Sequence, residues 1–299
     1  EIFMPSFIKI IAPGFTNDSE KLNIVIDLTR ITFPFLFFIS LASFFAAILN
    51  SHNKFAAAAA IPIVYNIILI LALLVSQVLD SSVALILSYA VSISGFVQLL
   101  ILFYYVKEKF NPLSNIKIII DEKIKFFFKK LIPSIFSSGV TQINILVGTI
   151  IASFHPGAVS YLYYADRVYQ INLAIAGVAV STVSLPLLSR EIKKGNVLKV
   201  KDIQNKSLEL SLLLSIPAAA GLVIASYDII NALFGYGSFE KNDVLKTSEA
   251  LKYFGYGIPA FALVKVLSNL FFARGNTKTP FYISAIIVFL NVSVSLAYF

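Results

Sequence analysis

Long apolar stretches separated by short polar connections occupy most of this sequence. They cover residues 1–12, 28–49, 57–78, 82–106, 131–154, 158–188, 208–233, 248–273 and 280–299. A helix needs about 20 apolar residues to cross roughly 30 Å of hydrocarbon, and only helices or closed barrels satisfy the backbone polar groups there. The pattern therefore predicts an all-α polytopic membrane protein with nine visible transmembrane helices, of which the first and the last are incomplete.

The composition excludes several other classes of protein. The chain is 58% hydrophobic and only 13% charged, whereas about a quarter of an ordinary soluble domain is charged. It contains no Cys, which excludes disulfides and thiolate metal ligands. It also lacks the G-x-x-x-x-G-K-S/T loop that holds ATP phosphates and the H-E-x-x-H pair of zinc hydrolases. We therefore expect a protein that is not an enzyme, with no catalytic residues and no cofactor.

Lysine and arginine are concentrated in alternate connections between the apolar stretches. These connections lie at 54, 107–130, 190–206 and 274–278, whereas the opposite ones carry Lys21, Lys241 and Lys246 beside acidic residues. The positive-inside rule places the basic connections in the cytoplasm. The net charge of +8 is then explained by orientation and by contact with anionic membrane lipids, and nucleic acid is not predicted as a partner.

A pattern near the start of the chain occurs again near its end. In the first copy, Phe15 and Pro34 are followed by the polar run 50–54, which ends a predicted helix. In the second copy, about 225 residues later, Phe239 and Pro259 are followed by the polar run 274–278. Six helices separate the copies, so both have the same orientation, as in transporters built from parallel repeats. We expect a first lobe at 1–106, a basic cytoplasmic linker at 107–130 and a second lobe at 131–299. The repeat also predicts that two helices precede residue 1.

Arg167 is the residue that most strongly indicates a function. It lies about 15 Å into its helix at 1.5 Å per residue, near the middle of the hydrocarbon, where a charged side chain is costly and is by default functional. One stripe of that helix combines it with Ser160, Tyr163, Tyr164, Gln170 and Ala174. Lipid does not tolerate such a stripe, so the spacing predicts the wall of a cavity that binds an anion such as phosphate or pyrophosphate.

The remaining polar residues have other predicted roles. Asp166 points about 100° away from Arg167, and we expect it to fix its helix by meeting a group on another helix, with direct coupling as the alternative. Lys265 is expected to snorkel or to join two helices, with a role in the cavity as the alternative. The helix at 158–188 is longer than a bilayer requires, so Gly177 and Pro186 are the expected places of deformation.

Short motifs along the whole chain resemble the MurJ (MviN) lipid II flippases. That family belongs to a superfamily with multidrug, oligosaccharidyl-lipid and polysaccharide exporters. The motifs are Ala12-Pro13-Gly14-Phe15, Thr32-Phe33-Pro34, 39–43, Ile48-Leu49-Asn50, Pro62 with Asn66, Tyr163-Tyr164-Ala165-Asp166-Arg167, 185–189, Lys265-Val266-Leu267 and Thr277-Lys278-Thr279-Pro280.

The resemblance implies a bundle of about 14 helices, with the third to the sixth at 1–106 and the seventh to the eleventh at 131–299. It also implies transport of lipid II, the undecaprenyl-pyrophosphate-linked peptidoglycan precursor, from the inner to the outer leaflet of a bacterial inner membrane by alternating access. Arg167 and Ser160 match cavity residues of the family, with Gln170 where Glu is frequent and Tyr164 beside them. Asn50, Asp166 and Lys265 match motif positions with a structural or coupling role.

Two points stay open within this resemblance. Many members have an acidic residue of a cation site where this chain has Gly148, and Asn291 and Ser295 match the neighbouring positions only loosely, as sodium ligands. Membrane potential is then the alternative driving force, at about 2.3 kcal/mol per charge per 100 mV. An exporter of another lipid-linked oligosaccharide or of cationic drugs is the alternative function, followed by a membrane scaffold without transport.

Overall fold

The chain folds into helices joined by short turns. Its structure is a computed structural model that describes residues 2–52, 54–79, 82–107 and 142–298, with the single positions 122, 124, 125 and 128. The helices are α1 (Met4–Ile11), α2 (Ser19–Thr32), α3 (Pro34–Ser51), α4 (Phe55–Leu79), α5 (Val83–Lys107), α6 (Gln142–Ala152), α7 (Ala158–Leu173), α8 (Val180–Lys193), α9 (Val197–Ile224), α10 (Ser226–Phe234), α11 (Lys241–Ala273) and α12 (Lys278–Tyr298).

Seven helical units in the described ranges are long and apolar enough to cross a membrane. Two of them combine consecutive helices, Ser19–Ser51 from α2 and α3 and Ala158–Lys193 from α7 and α8. The all-α membrane class is therefore confirmed. Two of the nine predicted spans are not among the seven: the segment 1–12 forms the eight-residue α1, and the segment 131–154 is described only from residue 142, as α6.

Several helices begin before the apolar stretch that predicted them, because a polar side chain caps their first turn. The Asp18 carboxylate accepts a hydrogen bond from the Lys21 main-chain N–H at 3.0 Å before α2. Glu240 and Asp243 form a capping box at the start of α11. Such caps satisfy N–H groups that have no partner within the helix, so a polar sequence can extend a membrane helix outward.

The early start of α2 changes the position of Arg30. The apolar segment 28–49 predicts a helix with Arg30 in its first turn, whereas Arg30 lies in the last turn of α2. There its guanidinium is 3.5 Å from the Asp27 carboxylate, one turn earlier on the same helix.

The order of elements in the first part of the chain occurs again in the last part. α1 is followed by a turn and by a 33-residue helical unit, Ser19–Ser51, and α10 is followed by a turn and by the 33-residue α11. Each long unit contains one of the two prolines that indicated the repeat, Pro34 and Pro259, and each is followed by a further span, α4 or α12. The internal repeat and the two lobes that it implies stay a prediction.

Packing divides the chain into two units, Glu1–Lys130 and Leu131–Phe299. In the first, α3 and α5 meet around Ala42, Leu49 and Leu102. The predicted linker at 107–130 lies outside the described residues apart from Lys107 and four single positions, so the assignment of lobes stays a prediction.

The core of the second unit holds α7 against α11, α9 and α10. Its buried members are Ala165, Val168, Tyr169, Ala219, Leu222, Ile230, Val244, Leu251 and Ile258. Gly255 of α11 allows close approach to α9, because a Cβ there would lie 3.1 Å from the side chain of Val223. The packing fixes one face of α7 and leaves the opposite face exposed.

Candidate functional site

α7 has one packed face and one exposed face. Ala165, Val168 and Tyr169 lie in the core, each with 6% or less of its surface exposed. The opposite face carries four exposed residues of the predicted stripe, Ser160, Tyr163, Arg167 and Gln170, and the exposed Ala174 continues it just after the end of α7. The 3.6-residue period therefore groups these residues as the sequence indicated. The cavity that they are expected to line stays a prediction.

The outer end of α7 is fixed to the start of α11. Gly157, just before α7, has a φ of 76°, a conformation that glycine adopts without strain. One turn into the helix, the Tyr161 hydroxyl donates to Oδ1 of Asp243 at 2.8 Å. Oδ2 of the same carboxylate accepts from the Glu240 main-chain N–H at 2.9 Å. These contacts set the position of the helix that carries Arg167.

Tyr163 is the direct neighbour of Arg167. Nη2 of Arg167 donates to the Tyr163 hydroxyl at 2.5 Å, and its Cζ lies 4.7 Å from the centroid of the Tyr163 ring. A guanidinium above an aromatic face gains a cation–π attraction, which grows when water is removed. The hydrogen bond and the ring contact with Tyr163 therefore keep the Arg167 guanidinium on the exposed face of α7.

Tyr164, which the sequence placed in the stripe, has a different environment. Its ring centroid lies 4.9 Å from that of Phe234 at the end of α10 and 5.4 Å from that of Phe239 in the following turn. Both tyrosines are within reach of Arg167 on a helix, since they lie four and three residues before it, and packing against Phe234 and Phe239 directs Tyr164 toward α10. Tyr163, which precedes it, occupies the place beside Arg167.

Among the described residues, Asp166 forms its hydrogen bond within its own helix. In the described part of the chain its carboxylate accepts a hydrogen bond from the Gln170 amide, one turn further along α7. This local pair forms because residues four apart on a helix are within reach of each other, and the expected contact with another helix stays a prediction. The pair orients the Gln170 amide at the edge of the stripe.

A π-helical segment, Ala174–Ala179, connects α7 to α8. Ser211 of α9 donates to the Ala176 carbonyl within it at 2.9 Å, and a Cβ on Gly177 would lie 3.2 Å from the Cα of Ala262. The predicted deformation at Gly177 is confirmed, and Pro186 lies inside α8. π-Helical turns release backbone groups, which a membrane helix must satisfy with neighbouring side chains.

A buried polar cluster joins α8 to α11 below this segment. The Asn269 amide donates to the Ser181 carbonyl at 2.6 Å and to the Ser184 hydroxyl at 2.8 Å, and the Ser181 hydroxyl donates to Asn269 Oδ1 at 3.0 Å. The Lys265 main-chain carbonyl also accepts from Ser181, at 3.3 Å, while the Lys265 side chain is exposed. Our sequence analysis missed this cluster, although serine and asparagine inside apolar helices are a signal of helix contacts.

The predicted sodium ligands take part in two hydrogen bonds, one between α12 and α6 and one within α12. The Asn291 amide on α12 donates to Asn144 Oδ1 on α6 at 2.7 Å, and the Ser295 hydroxyl donates to Asn291 Oδ1 at 3.3 Å. Among the described residues, none lies within 4 Å of a Cβ built on Gly148 of α6. The described residues contain no group of three or more His, Cys, Asp or Glu side chains placed to hold a metal ion.

Asn50 belongs to the first unit and is exposed in the last turn of α3. Its main-chain carbonyl accepts from the His52 N–H that closes the helix. The structure therefore places Asn50 at a helix end, in keeping with a structural role.

Comparisons with known proteins give one consistent result. A family model described as lipid II flippase MurJ matches residues 1–299. The probable lipid II flippase MurJ of Rickettsia prowazekii is 38% identical over 297 residues, which cover 99% of this chain and 58% of that protein. Its counterpart in Rhizobium tropici is 37% identical over 313 residues, which cover 100% and 57%.

A solved structure agrees with these sequences. The lipid II flippase MurJ in an inward closed conformation matches with a TM-score of 0.83 and 28% sequence identity, over 99% of this chain and 61% of that one. The chain therefore spans about three fifths of the length of the proteins that it matches.

Proposed function

The chain belongs to the MurJ lipid II flippase family, and on this premise we propose that the protein is a lipid II flippase of a bacterial inner membrane. It moves the undecaprenyl-pyrophosphate-linked precursor from the inner to the outer leaflet by alternating access, and it is a transporter with no catalytic residues. The observation that carries the proposal is Arg167, a cation deep in an apolar span, placed on the exposed face of α7.

Arg167 binds the pyrophosphate of the substrate in this proposal. Guanidinium presents a planar fork of donors that matches two phosphate oxygens at once, which an ammonium group cannot do. The contact with Tyr163, at 2.5 Å from Nη2 to the hydroxyl, reduces the freedom of this fork before the substrate arrives. Ser160 and Gln170 add hydrogen-bonding groups to the same face, about two turns and one turn from Arg167.

The direct test replaces Arg167 in the full-length protein and measures lipid II on the outer surface of cells and of proteoliposomes. Arg167→Ala is expected to lower transport about tenfold to a hundredfold, since a hydrogen bond to a charged group contributes roughly 1.5–3 kcal/mol. Arg274→Ala is the matched control, because Arg274 is an exposed arginine in the turn that ends α11.

The variant Arg167→Lys tests whether transport requires only a positive charge at this position or also the planar shape of the guanidinium. We expect partial transport, because a lysine keeps the charge and loses the fork. Full activity of Arg167→Lys refutes paired recognition of two oxygens, and full activity of Arg167→Ala refutes the site itself. Export of a cationic dye in place of lipid II would identify the drug exporter as the correct alternative.

We further propose that membrane potential drives transport. Asn144 Oδ1 on α6 already accepts a hydrogen bond from the Asn291 amide on α12, and Asn291 Oδ1 accepts one from Ser295 of its own helix. Gly148 has no side chain, so it supplies no carboxylate to offset the charge of a cation. Lipid II transport into vesicles at a fixed potential is expected to continue when potassium replaces sodium. Loss of transport in that exchange would instead assign Asn291 and Ser295 to a sodium site.

A further inference from the structure

A groove of about 470 Å³ runs between α8 and α9 on the surface of the second unit. Aliphatic side chains line most of it, among them Val183 and Leu187 of α8 and Ile203, Leu210 and Leu214 of α9, and Lys206 is its one charged lining residue. Ile203 lies one turn before Lys206 on α9 and Leu210 one turn after it, so Lys206 is a cation within a mostly aliphatic lining.

The position of Lys206 fits the inner membrane boundary. α9 begins in the basic connection at 190–206, which the positive-inside rule places in the cytoplasm. Leu214 lies eight residues beyond Lys206, about 12 Å deeper at 1.5 Å per residue. The groove thus extends from the level of lipid headgroups toward the middle of the bilayer.

The inner end of the groove has an excess of positive charge. Between 190 and 206, basic residues outnumber Glu191 and Asp202. Lys206 is 2.9 Å from Asp202, but the two side chains are 72% and 57% exposed. Exposed ion pairs of this kind contribute little, so Asp202 does not prevent Lys206 from meeting a lipid phosphate. Lys199 lies two turns earlier on the same face of α9.

A second groove, on α4 in the first unit, provides an internal comparison. It has a volume of about 320 Å³ and is lined by Leu71, Leu74, Val75, Val78 and Leu79. This aliphatic lining fits any lipid chain, and it offers no charge to select a headgroup. We therefore expect the groove between α8 and α9 to prefer anionic headgroups and the groove on α4 to show no preference.

We propose that the groove between α8 and α9 binds one acyl chain of an anionic phospholipid of the inner leaflet, with its phosphate beside Lys206. The occupant is a phospholipid and not the transported precursor, because an undecaprenyl chain is much longer than the groove, whose lining from Ile203 to Leu214 on α9 rises about 16 Å at 1.5 Å per residue. The proposal depends on a membrane location and not on the direction or the substrate of transport.

The experiment uses phosphatidylglycerol and phosphatidylcholine that carry a photoactivatable group in the middle of one acyl chain. The full-length protein is reconstituted in vesicles that contain either probe, irradiated and digested, and the labelled peptides are identified. Phosphatidylglycerol is expected to label α8 and α9 at the groove several times more than phosphatidylcholine does, and both probes are expected to label α4 equally.

Three variants locate the site. Lys206→Gln is expected to lower phosphatidylglycerol labelling of the groove about fivefold, which corresponds to the roughly 1 kcal/mol that one basic residue contributes near an anionic surface. Lys201→Gln is the matched control, because Lys201 is an exposed lysine of α9 outside the groove lining. Leu210→Trp fills the groove and is expected to abolish labelling there by both probes.

Three outcomes would overturn the proposal. They are equal labelling of the groove by the two headgroups, equal effects of Lys206→Gln and Lys201→Gln, and no labelling of the groove by either probe. The last result would show that another segment of the protein covers this face. Lipid II transport by the same variants is a separate measurement, so failure of the lipid site does not affect the flippase proposal.

Discussion

Replacement of Asn269 by alanine is expected to loosen α8 from α11. Asn269 is 3% exposed and takes part in three hydrogen bonds with Ser181 and Ser184. A hydrogen bond between membrane helices contributes about 0.6 kcal/mol on average, so loss of three predicts a destabilisation of about 2 kcal/mol. The two serine hydroxyls retain hydrogen bonds in the variant. Ser181 still donates to the Lys265 carbonyl at 3.3 Å, and Ser184 still donates to the Ser181 carbonyl at 3.2 Å.

The assay is equilibrium unfolding of the full-length protein in mixed micelles of increasing denaturing detergent. Asn66→Ala is the matched control, since among the described residues the exposed Asn66 amide donates a hydrogen bond to the Pro62 carbonyl of its own helix, at 2.9 Å, and to no other helix. We expect the control to lose less than about 0.5 kcal/mol. The double variant Ser184→Ala with Asn269→Ala should cost less than the two single changes together, because they share a hydrogen bond. Equal losses for Asn269→Ala and Asn66→Ala, or strict additivity, would refute this reasoning.

Three further predictions concern the helix that carries Arg167. Tyr163→Phe keeps the ring and removes the hydroxyl that lies 2.5 Å from Arg167 Nη2. We expect a higher KM for lipid II with little change in kcat. A larger effect of Tyr164→Phe would contradict the assignment of Tyr163 as the neighbour of Arg167. Gly177→Val is expected to lower stability and transport, because even a Cβ would lie 3.2 Å from the Ala262 backbone, whereas Gly221→Val, with open space around it, should be tolerated in the same assays. Ser211→Ala removes the hydroxyl that donates to the Ala176 carbonyl at 2.9 Å; hydrogen exchange should then increase in the π-helical segment and stay unchanged at α12.

Features that repeat along the chain could be predicted from the sequence. Apolar stretches of about 20 residues predict membrane helices because the thickness of the hydrocarbon sets their length. The stripe around Arg167 could be predicted for a similar reason, since the period of a helix alone decides which residues share a face. Gly177 could be identified as a place of deformation because the helix at 158–188 exceeds that thickness.

Features that depend on a neighbouring helix could not be predicted in this way. The capped polar turns extended α2 and α11 beyond their apolar stretches, which moved Arg30 from the first turn of its helix to the last turn of α2. Asp166 met Gln170 on its own helix, although its direction away from Arg167 allowed a partner elsewhere.

The sequence by itself therefore determined the class of the protein, the family and the helix face on which Arg167 lies. The tertiary structure decided that Tyr163 and not Tyr164 stands beside Arg167, because Phe234 and Phe239 attract the second tyrosine toward α10. It also decided that Asn269 joins α8 to α11. Periodicity is a local property of one helix, whereas these contacts depend on which helices pack together and at what height.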